Sequence, residues 1–581
     1  MRIDPHSVAD FDQGRTVALH LNLAVDFERR RLHGSATLTL DRAGTGPLDL
    51  DSSGLELEAV TDGDGRPLAH TLSPADPVLG QRLRVLRDRP VDTVRITYRT
   101  GPGASALMWL DPAQTHGGVH PFVLTQCQAI HARSIAPLQD TPRARIRYTA
   151  DLTFPEALSA VMSAAPGERR PGPEPGTATL HFEMPQPIPP YLLALAVGDL
   201  ASRDLGPRTR VFAEPGVVDG AAWEFADVEG MLDAGEALFG PYAWERFDFV
   251  VLPPSFPLGG MENPRMTFLT PTLLAGDRSL VGVLAHELAH SWTGNLVTNA
   301  DNEHFWLNEG WTVYAERRIL ERLYGLEAAT RDAVLGRADL DREMEALQAA
   351  GERTALTWDQ RGTDPDEVFS KVPYERGFLL VVALERAVGR ERFDAFIRSY
   401  LERFRFCSIT TQEFVDFVAS ELPEVELDFD AWLRDDALPA DAPTFRSERL
   451  EELAALARAW PTSLPPADAG WSTTETLTYL QTLPPIDAVG CVDIEARLAL
   501  GPTANAELRS AWLALAAAAN VPGLEPALLD FLRRVGRTKL VRPVVAAMVS
   551  QPALRPLAQA VVAEIGPRLH SSTRGALAAL F

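Results

Sequence analysis

The feature that most constrains this chain is the pattern H-E-x-x-H, formed by His286, Glu287 and His290. Glu309 follows His290 after eighteen intervening residues. Residues four apart lie on one face of a helix, so the two imidazoles can bind the same metal ion. Two nitrogen ligands and one carboxylate, with a fourth position open, are typical of a catalytic zinc site. Glu287 lies next to that open position, where it can accept a proton from water.

The residues around the pattern favour two buried helices. Apolar residues flank His286, and Thr293-Gly294-Asn295 is a helix stop signal. A second helical pattern starts near Phe305 and carries Glu309 on its first turns. So short a pattern also occurs by chance in helices, but the apolar flanks and the third ligand favour zinc hydrolase chemistry. Three tryptophans can shield such a site from water: Trp292, Trp306 and Trp311.

Length and charge limit the kinds of partner. The 581 residues suggest three or four domains, and the net charge of -24 disfavours nucleic acid and anionic membranes. The three cysteines, Cys127, Cys407 and Cys491, do not form a disulfide framework. The first residues lack the order of a signal peptide, and no apolar run approaches the ~20 residues of a membrane span. We therefore expect a soluble, monomeric protein of the cytoplasm.

Sequence patterns divide the chain into three domains and a linker. Residues 1–200 alternate apolar and polar positions, which predicts an all-β, saddle-shaped domain, with residues 165–176 as an exposed loop rich in Pro and Gly. Residues 201–440 mix strands with long helical patterns. Residues 441–447 form a linker, and residues 448–581 predict an α-helical domain of helix pairs. The predicted strands are 16–26, 32–40, 94–98, 146–154, 177–182 and 247–252.

The segment 253–264, PPSFPLGGMENP, is a candidate rim of a substrate site. Gly259 and Gly260 permit a close approach of backbone or ligand. Glu262 follows them, on what we interpret as an exposed strand edge to which a peptide can add. Taken alone the segment is a loop with one charged residue, and only its closeness to a zinc helix favours the functional interpretation.

Three other features have both a structural and a functional interpretation. Residues 124–137 are too polar for a core strand, which favours an edge strand or a loop. Tyr374 follows a proline at the start of an apolar helix, where it is either a surface aromatic or a donor to an oxyanion. A basic cluster is either a solvated face or a place where Arg537 or Lys539 binds a substrate carboxylate. Its members are Arg533, Arg534, Arg537, Lys539 and Arg542.

Longer motifs resemble one known family, the M1 or gluzincin zinc aminopeptidases, and within it the leukotriene A4 hydrolase branch with its bacterial relatives. The resemblance covers nearly the whole chain. It includes the zinc pattern with Glu309 and Gly260-Met261-Glu262-Asn263. The longer matching segments are 126–131 (QCQAIH), 253–264, 268–277 (FLTPTLLAGD), 290–299 (HSWTGNLVTN), 305–314, 372–378 and 536–543 (GRTKLVRP).

The resemblance implies a multidomain α+β layout: a β saddle, a thermolysin-like catalytic domain and a helical C-terminal domain. It also implies roles at the matching positions. The catalytic set is His286, His290 and Glu309 as ligands of one Zn2+ per chain, Glu287 as general base and then acid, and Tyr374 as oxyanion donor. The substrate-binding set is Glu262 and Gln128 at a free α-amine, Gly259 and Gly260 at the backbone, Arg537 and Lys539 at the carboxylate, and Asp366 in the inner pocket.

The chain departs from this branch at two positions. Phe369 and Leu258 stand where the leukotriene-hydrolysing vertebrate enzyme has tyrosines that line its substrate cavity. Neither is an implied zinc ligand or acid–base residue. The sequence thus predicts a zinc aminopeptidase that removes the N-terminal residue from short peptides. An epoxide hydrolase is the alternative and a non-catalytic peptide-binding protein a third hypothesis, while Glu262 in its Gly-Met-Glu-Asn setting disfavours an endopeptidase.

Overall fold

The structure, a computed structural model, describes residues 4–467 and 469–581. Its N-terminal part is built from strands: β1 (Thr16–Asp26), β2 (Arg31–Ser52), β3 (Leu55–Asp62), β4 (Ala69–Leu72), β5 (Gln81–Thr100), β6 (Leu107–Leu110), β7 (Phe122–Thr125), β8 (Ile146–Pro155), β9 (Ser159–Met162), β10 (Ala165–Pro171), β11 (Thr177–Ile188) and β12 (Leu195–Gly198). An eight-stranded sheet has the order β10-β11-β8-β1-β2-β5-β3, with β4 paired to β5. A four-stranded sheet has the order β6-β7-β12-β9.

The alternating sequence pattern locates these strands because one face of each strand is buried. β1 has the predicted limits, and its alternate side chains Leu19, Leu21 and Leu23 are in the core. The loop predicted for residues 165–176 is wrong for its first part, since β10 pairs there with β11. β10 lies at the edge of its sheet, where Pro and Gly interrupt no second ladder of hydrogen bonds.

The middle of the chain combines a second type of sheet with helices. Its strands are β13 (Ala201–Asp204), β14 (Arg210–Ala213), β15 (Phe249–Val251), β16 (Gly260–Met261) and β17 (Thr267–Leu269), in the order β13-β14-β15-β17-β16, and the parallel pair β18 (Val297–Asn299) and β19 (Cys407–Ile409). Its helices are α1 (Val218–Glu224), α2 (Val228–Phe239), α3 (Gly282–Ala289), α4 (Trp306–Tyr324), α5 (Leu326–Ala349), α6 (Gly377–Val388), α7 (Arg390–Arg403), α8 (Thr411–Glu421) and α9 (Phe429–Leu433). A π-helical turn, Val372–Arg376, precedes α6.

The C-terminal part is helical, as predicted. Its helices are α10 (Glu448–Arg458), α11 (Thr473–Thr482), α12 (Ala488–Leu498), α13 (Ala506–Ala518), α14 (Glu525–Arg534), α15 (Thr538–Ser550), α16 (Arg555–Ile565) and α17 (Ser571–Ala578). Across the two described ranges, none of the helices has the length and apolar character needed to cross a bilayer. The three-part layout confirms the predicted fold class, while the domain limits at residues 200, 440 and 448 stay predictions.

Contacts between the three parts fix the segments around α3. The Arg145 guanidinium, from the N-terminal part, donates to the carbonyl oxygens of Asn295 and Cys407, both at 2.9 Å. From the C-terminal part, the Thr538 amide donates to the Pro257 carbonyl oxygen at 3.1 Å. The region around the H-E-x-x-H helix is therefore held from both sides.

Candidate active site

Two helices bring the H-E-x-x-H pattern and Glu309 together. α3 carries His286 and Glu287, His290 lies at its C-terminal end, and Glu309 lies in the first turn of α4. The Nε2 atoms of His286 and His290 are 3.2 Å apart. Glu309 Oε2 lies 3.5 Å from His286 Nε2 and 3.6 Å from His290 Nε2. The three side chains therefore converge on one point.

This donor set fits a zinc ion. One ligand atom from each of His286, His290 and Glu309 lies within 4.8 Å of the others. Glu309 Oε2 is buried and has no hydrogen-bond partner, an arrangement that costs free energy unless a cation binds there. Two imidazoles and a carboxylate are common ligands of catalytic zinc. The surrounding tryptophans are all buried, as the sequence suggested: Trp292, Trp306 and Trp311.

Two further residues of α4 orient the histidines, and sequence reasoning missed both. Glu316 Oε2 lies 2.9 Å from His286 Nδ1. Thr312 Oγ1 lies 3.1 Å from His290 Nδ1, and its own hydroxyl donates to a backbone carbonyl, so the imidazole is the donor to Thr312. Such partners leave Nε2 available for a metal. Helical spacing could have found both residues, because Thr312 and Glu316 follow Glu309 by three and seven residues and so lie on the same face of α4.

Glu287 is packed against the backbone of the 253–264 segment. A Cβ atom built on Gly260 would lie 2.3 Å from Glu287 Oε1, so a larger residue there would displace this carboxylate. Burial, with added repulsion from Glu309, raises the pKa of Glu287 to about 8. A carboxyl group with a raised pKa holds and releases a proton near neutral pH, which suits general acid–base work.

Glu262 is a buried carboxylate with an oxygen that has no partner. It follows strand β16, which lies at the edge of its sheet as predicted, but the residue itself is buried, with 4% exposed. Its backbone carbonyl accepts a hydrogen bond from Asn295 Nδ2 at 2.7 Å, while its Oε1 atom is unpaired. Ligand atoms of Glu262, Glu287 and His290 lie within 4.8 Å of one another. Burial and the neighbouring carboxylates Glu309 and Glu287 raise the pKa of Glu262 well above its ordinary value.

Tyr374 lies over the histidine pair rather than on the surface. Its ring is nearly parallel to that of His286, with centroids 6.3 Å apart, and Phe305 packs against it edge-on at 6.1 Å. Burial, then the charge of Glu309, raises the pKa of the Tyr374 phenol well above its ordinary value. The phenol therefore stays protonated and can donate a hydrogen bond next to His286.

The helical C-terminal part contributes two cations. Arg537, at the start of α15, lies so close to Gly259 that a Cβ atom there would be 2.7 Å from its Nη2. Arg537 Nη1 and Lys539 Nζ both donate to Glu507 Oε1, at 3.2 and 3.0 Å. The rest of the basic cluster behaves as a solvated face, since Arg533 and Arg534 form surface ion pairs with carboxylates of their own domain.

The sequence of each part matches a known domain. Residues 15–192 match the peptidase M1 N-terminal domain, residues 223–432 the peptidase family M1 domain, and residues 471–581 the leukotriene A4 hydrolase C-terminal domain. Aminopeptidase B of Mus musculus is 37% identical over 628 residues, covering 98% of this chain and 94% of the relative. The chain belongs to peptidase family M1.

Solved structures agree with the M1 assignment. Leukotriene A4 hydrolase from yeast, in complex with bestatin, has a TM-score of 0.92 and 33% identity, covering 99% of this chain and 97% of that chain. An M1 zinc metallopeptidase from Deinococcus radiodurans, a mutant bound to a Tyr-Ser-Ala substrate, has a TM-score of 0.59 and 25% identity, covering 74% of this chain and 96% of that chain. M1 membership implies a zinc ion in this protein.

Two residues implied by the resemblance as substrate-binding residues, Gln128 and Asp366, have other surroundings in the structure. Gln128 lines a small cavity with Tyr191 and Phe305. Asp366 is paired with His131, whose Nε2 lies 3.0 Å from Asp366 Oδ2. Among the described residues, neither hydrogen-bonds to Glu262 or to a predicted zinc ligand.

The two departures from the leukotriene A4 hydrolase branch have different surroundings. Phe369 is 60% exposed and meets Tyr374 edge-on, with ring centroids 5.9 Å apart. Leu258 is partly buried against the N-terminal core. Phe369 therefore presents an apolar ring at the mouth of the site, where a tyrosine would also present a hydroxyl.

Proposed function

We propose that this M1 peptidase is a zinc aminopeptidase that removes the N-terminal residue from short peptides. Its general class, a metallo-aminopeptidase, follows from its family and from relatives such as aminopeptidase B. The observation that carries the more specific proposal is the buried, unpaired carboxylate of Glu262 beside the histidine pair. A second group of observations concerns the cations Arg537 and Lys539 at Gly259.

His286, His290 and Glu309 would hold one zinc ion per chain. When bound, zinc polarises a carbonyl group and lowers the pKa of water to about 7. Glu316 and Thr312 would keep both imidazole rings oriented, because they occupy the ring nitrogens that face away from the site.

Glu262 would select a free amino terminus. A substrate ammonium group compensates a buried carboxylate, whereas an internal peptide segment would leave that charge unpaired at a cost of several kcal/mol. The same ion pair sets the register, so that the first peptide bond lies over the histidine pair. Gly259 and Gly260 let the substrate backbone approach closely at the edge of β16.

Glu287 and Tyr374 would carry out the chemistry on the first peptide bond. Glu287 accepts a proton from the attacking water and later gives it to the departing amine. The Tyr374 phenol donates a hydrogen bond to the oxygen that becomes negatively charged in the transition state. Glu287 is buried and Tyr374 is partly buried, which strengthens these interactions by limiting the access of water.

Arg537 and Lys539 would bind the carboxylate end of the peptide. A guanidinium beside Gly259 suits a carboxylate, and this pairing favours peptides short enough to present both ends to the site. We extend the proposal to a cytoplasmic monomer in peptide catabolism, which the acidic net charge and the three free cysteines support. In this proposal Gln128 binds the substrate amine together with Glu262, and Asp366 lines the inner pocket.

An epoxide hydrolase activity is the second candidate. It is favoured by the match to the leukotriene A4 hydrolase C-terminal domain and by the fold shared with the yeast enzyme. Phe369 argues against it, because the ring that packs on Tyr374 lacks the hydroxyl of the vertebrate tyrosine.

The deciding experiment is hydrolysis of matched unblocked and N-acetylated aminoacyl anilides and tripeptides, with and without a zinc chelator. We expect cleavage of the unblocked substrates alone, abolished by the chelator. Equal cleavage of acetylated and free substrates would contradict the role of Glu262. Hydrolysis of a lipid epoxide without peptidase activity would favour the second candidate.

A further inference from the structure

The Glu507 carboxylate lies between the two cations of the site. It belongs to the first turn of α13 and is nearly buried, with 12% of its side chain exposed. It accepts from Arg537 Nη1 at 3.2 Å and from Lys539 Nζ at 3.0 Å. Lys539 and Arg537 keep the pKa of Glu507 below its ordinary value, against the effect of burial. One charged carboxylate therefore anchors two side chains that are long and flexible in isolation.

The contact with Glu507 determines which edge of the Arg537 guanidinium faces the site. Nη1 is directed to Glu507, while Nη2 is the atom nearest to the Gly259 position. A planar guanidinium can bind one carboxylate along each edge. Glu507 therefore occupies one edge and leaves the other directed to the segment that carries Gly259.

The anchor itself is tied to the catalytic part of the chain. Asn505 caps α13, since its Oδ1 accepts from the Glu507 amide at 3.0 Å. Its Nδ2 donates to Ser279 Oγ at 3.0 Å and to Thr473 Oγ1 at 2.8 Å. Ser279 lies just before α3, so the position of Glu507 is defined relative to the helix that carries His286.

We infer that Glu507 is a positioning residue for the carboxylate end of the substrate: it holds Arg537 and Lys539 so that both face the C-terminal carboxylate of a short peptide. This inference rests on the proposed function. Glu507 does not touch the reacting bond, so its effect falls on substrate binding and not on turnover. It also falls only on substrates that carry a free carboxylate.

The test compares three variants on three substrates. Glu507→Ala removes the anchor, and Glu507→Gln keeps one acceptor oxygen without the charge. Glu525→Gln is the matched control, because Glu525 is an exposed carboxylate in the first turn of α14 in the same helical part. The substrates are Ala-Ala-Ala, its C-terminal amide, and alanine 4-nitroanilide, which has no carboxylate.

We expect Glu507→Ala to raise KM for Ala-Ala-Ala about fivefold, with kcat and both carboxylate-free substrates unchanged. Glu507→Gln should recover at least part of this loss, and Glu525→Gln should behave as wild type. Adding Glu507→Ala to a variant that already lacks both cations, Arg537→Ala with Lys539→Ala, should cost little more, since Glu507 acts through these two residues.

An equal rise in KM for all three substrates would assign Glu507 a general structural role and overturn the inference. An unchanged or lower KM for Ala-Ala-Ala would also overturn it, because Glu507 would then be idle or a competitor for the cations. Failure of the wild type to cleave any unblocked substrate would instead contradict the proposed function.

Discussion

The two ends of the candidate site differ in how their charges are compensated. At the end formed by Glu262, Glu287 and Glu309, buried carboxylates lie close together, and Glu262 and Glu309 each have an oxygen without a partner. At the end formed by Arg537 and Lys539, both cations already share Glu507. The negative charges of the first end are compensated only when cations bind there, whereas the positive charges of the second end are already paired with Glu507 before a substrate binds.

This difference predicts unequal consequences of mutation. A buried unpaired charge costs several kcal/mol, so the carboxylate end can gain much from zinc and from a substrate ammonium. On substrate binding the cationic end would gain a second carboxylate beside Glu507, and it is partly open to water, since Lys539 is 55% exposed while Arg537 is buried. Its contribution should be nearer that of a surface ion pair, about 1 kcal/mol. Mutations at the carboxylate end should therefore reduce activity more than mutations at the cationic end.

The largest loss is expected for Glu287→Gln. The amide keeps the shape beside Gly260 but cannot take or give a proton, so kcat should fall about 10³-fold with the zinc content unchanged. Metal analysis and steady-state kinetics on an unblocked anilide measure both quantities. Glu327→Gln, an exposed first-turn residue of α5, is the control. A variant that retained more than a tenth of wild-type kcat would show that Glu287 is not the acid–base residue.

Glu262→Gln tests the carboxylate end directly. The variant removes the charge that compensates a substrate ammonium, so kcat/KM for unblocked anilides should fall about 10²-fold. The already poor N-acetylated substrates should change little, and the discrimination between the two classes should shrink. Discrimination that stayed at the wild-type level would mean that another residue recognises the amine.

Arg537→Ala tests the cationic end and should cost less. We expect KM for tripeptides to rise about tenfold, with anilides affected less than twofold, because an anilide has no carboxylate for Arg537 to bind. Comparison of each tripeptide with its C-terminal amide in the same assay measures the effect. A loss as large as that of Glu262→Gln would contradict the expected difference, since it would show that Glu507 does not compensate the cationic end before substrate binds.

The carboxylate end and the strands are the parts of the molecule that the sequence could predict best. Helical spacing brought His286 and His290 to one metal site, whereas Glu309 lies on the neighbouring helix and was assigned there from its distance after His290 and from the family resemblance. Glu316 lies seven residues after Glu309 on the same helical face and was predictable by the same rule. The alternating strands were predictable too, except where β10, an edge strand, tolerates residues that usually mark a loop.

The cationic end depends on contacts that no local pattern contains. Glu507 lies 30 residues before Arg537, and only the packing of α13 against α15 brings them together. The burial of Glu262 was missed for the same reason, because its surroundings come from other segments, among them Asn295 after α3, which donates to its backbone carbonyl. Spacing rules describe one helix or strand at a time, so they fail where separate elements meet.

The smallest expected effect is that of His304 on the stability of the fold in acid, which can be measured apart from the acid sensitivity of the site. His304 lies outside both ends, and burial lowers its pKa to about 4, with its Nδ1 accepting from the Thr411 amide at 3.3 Å. The pKa of a histidine in the unfolded chain is about 6.5. The folded state therefore gains the full stabilisation from neutral His304 above pH 6.5 and loses it as the pH falls towards 4. The loss in the free energy of unfolding is on the order of 1–3 kcal/mol. Replacing His304 by Asn should therefore reduce the fall in Tm between pH 7.5 and 5 by about 2 °C. Thermal unfolding of both proteins at the two pH values measures this, and an unchanged fall would place the acid sensitivity in the buried carboxylates instead.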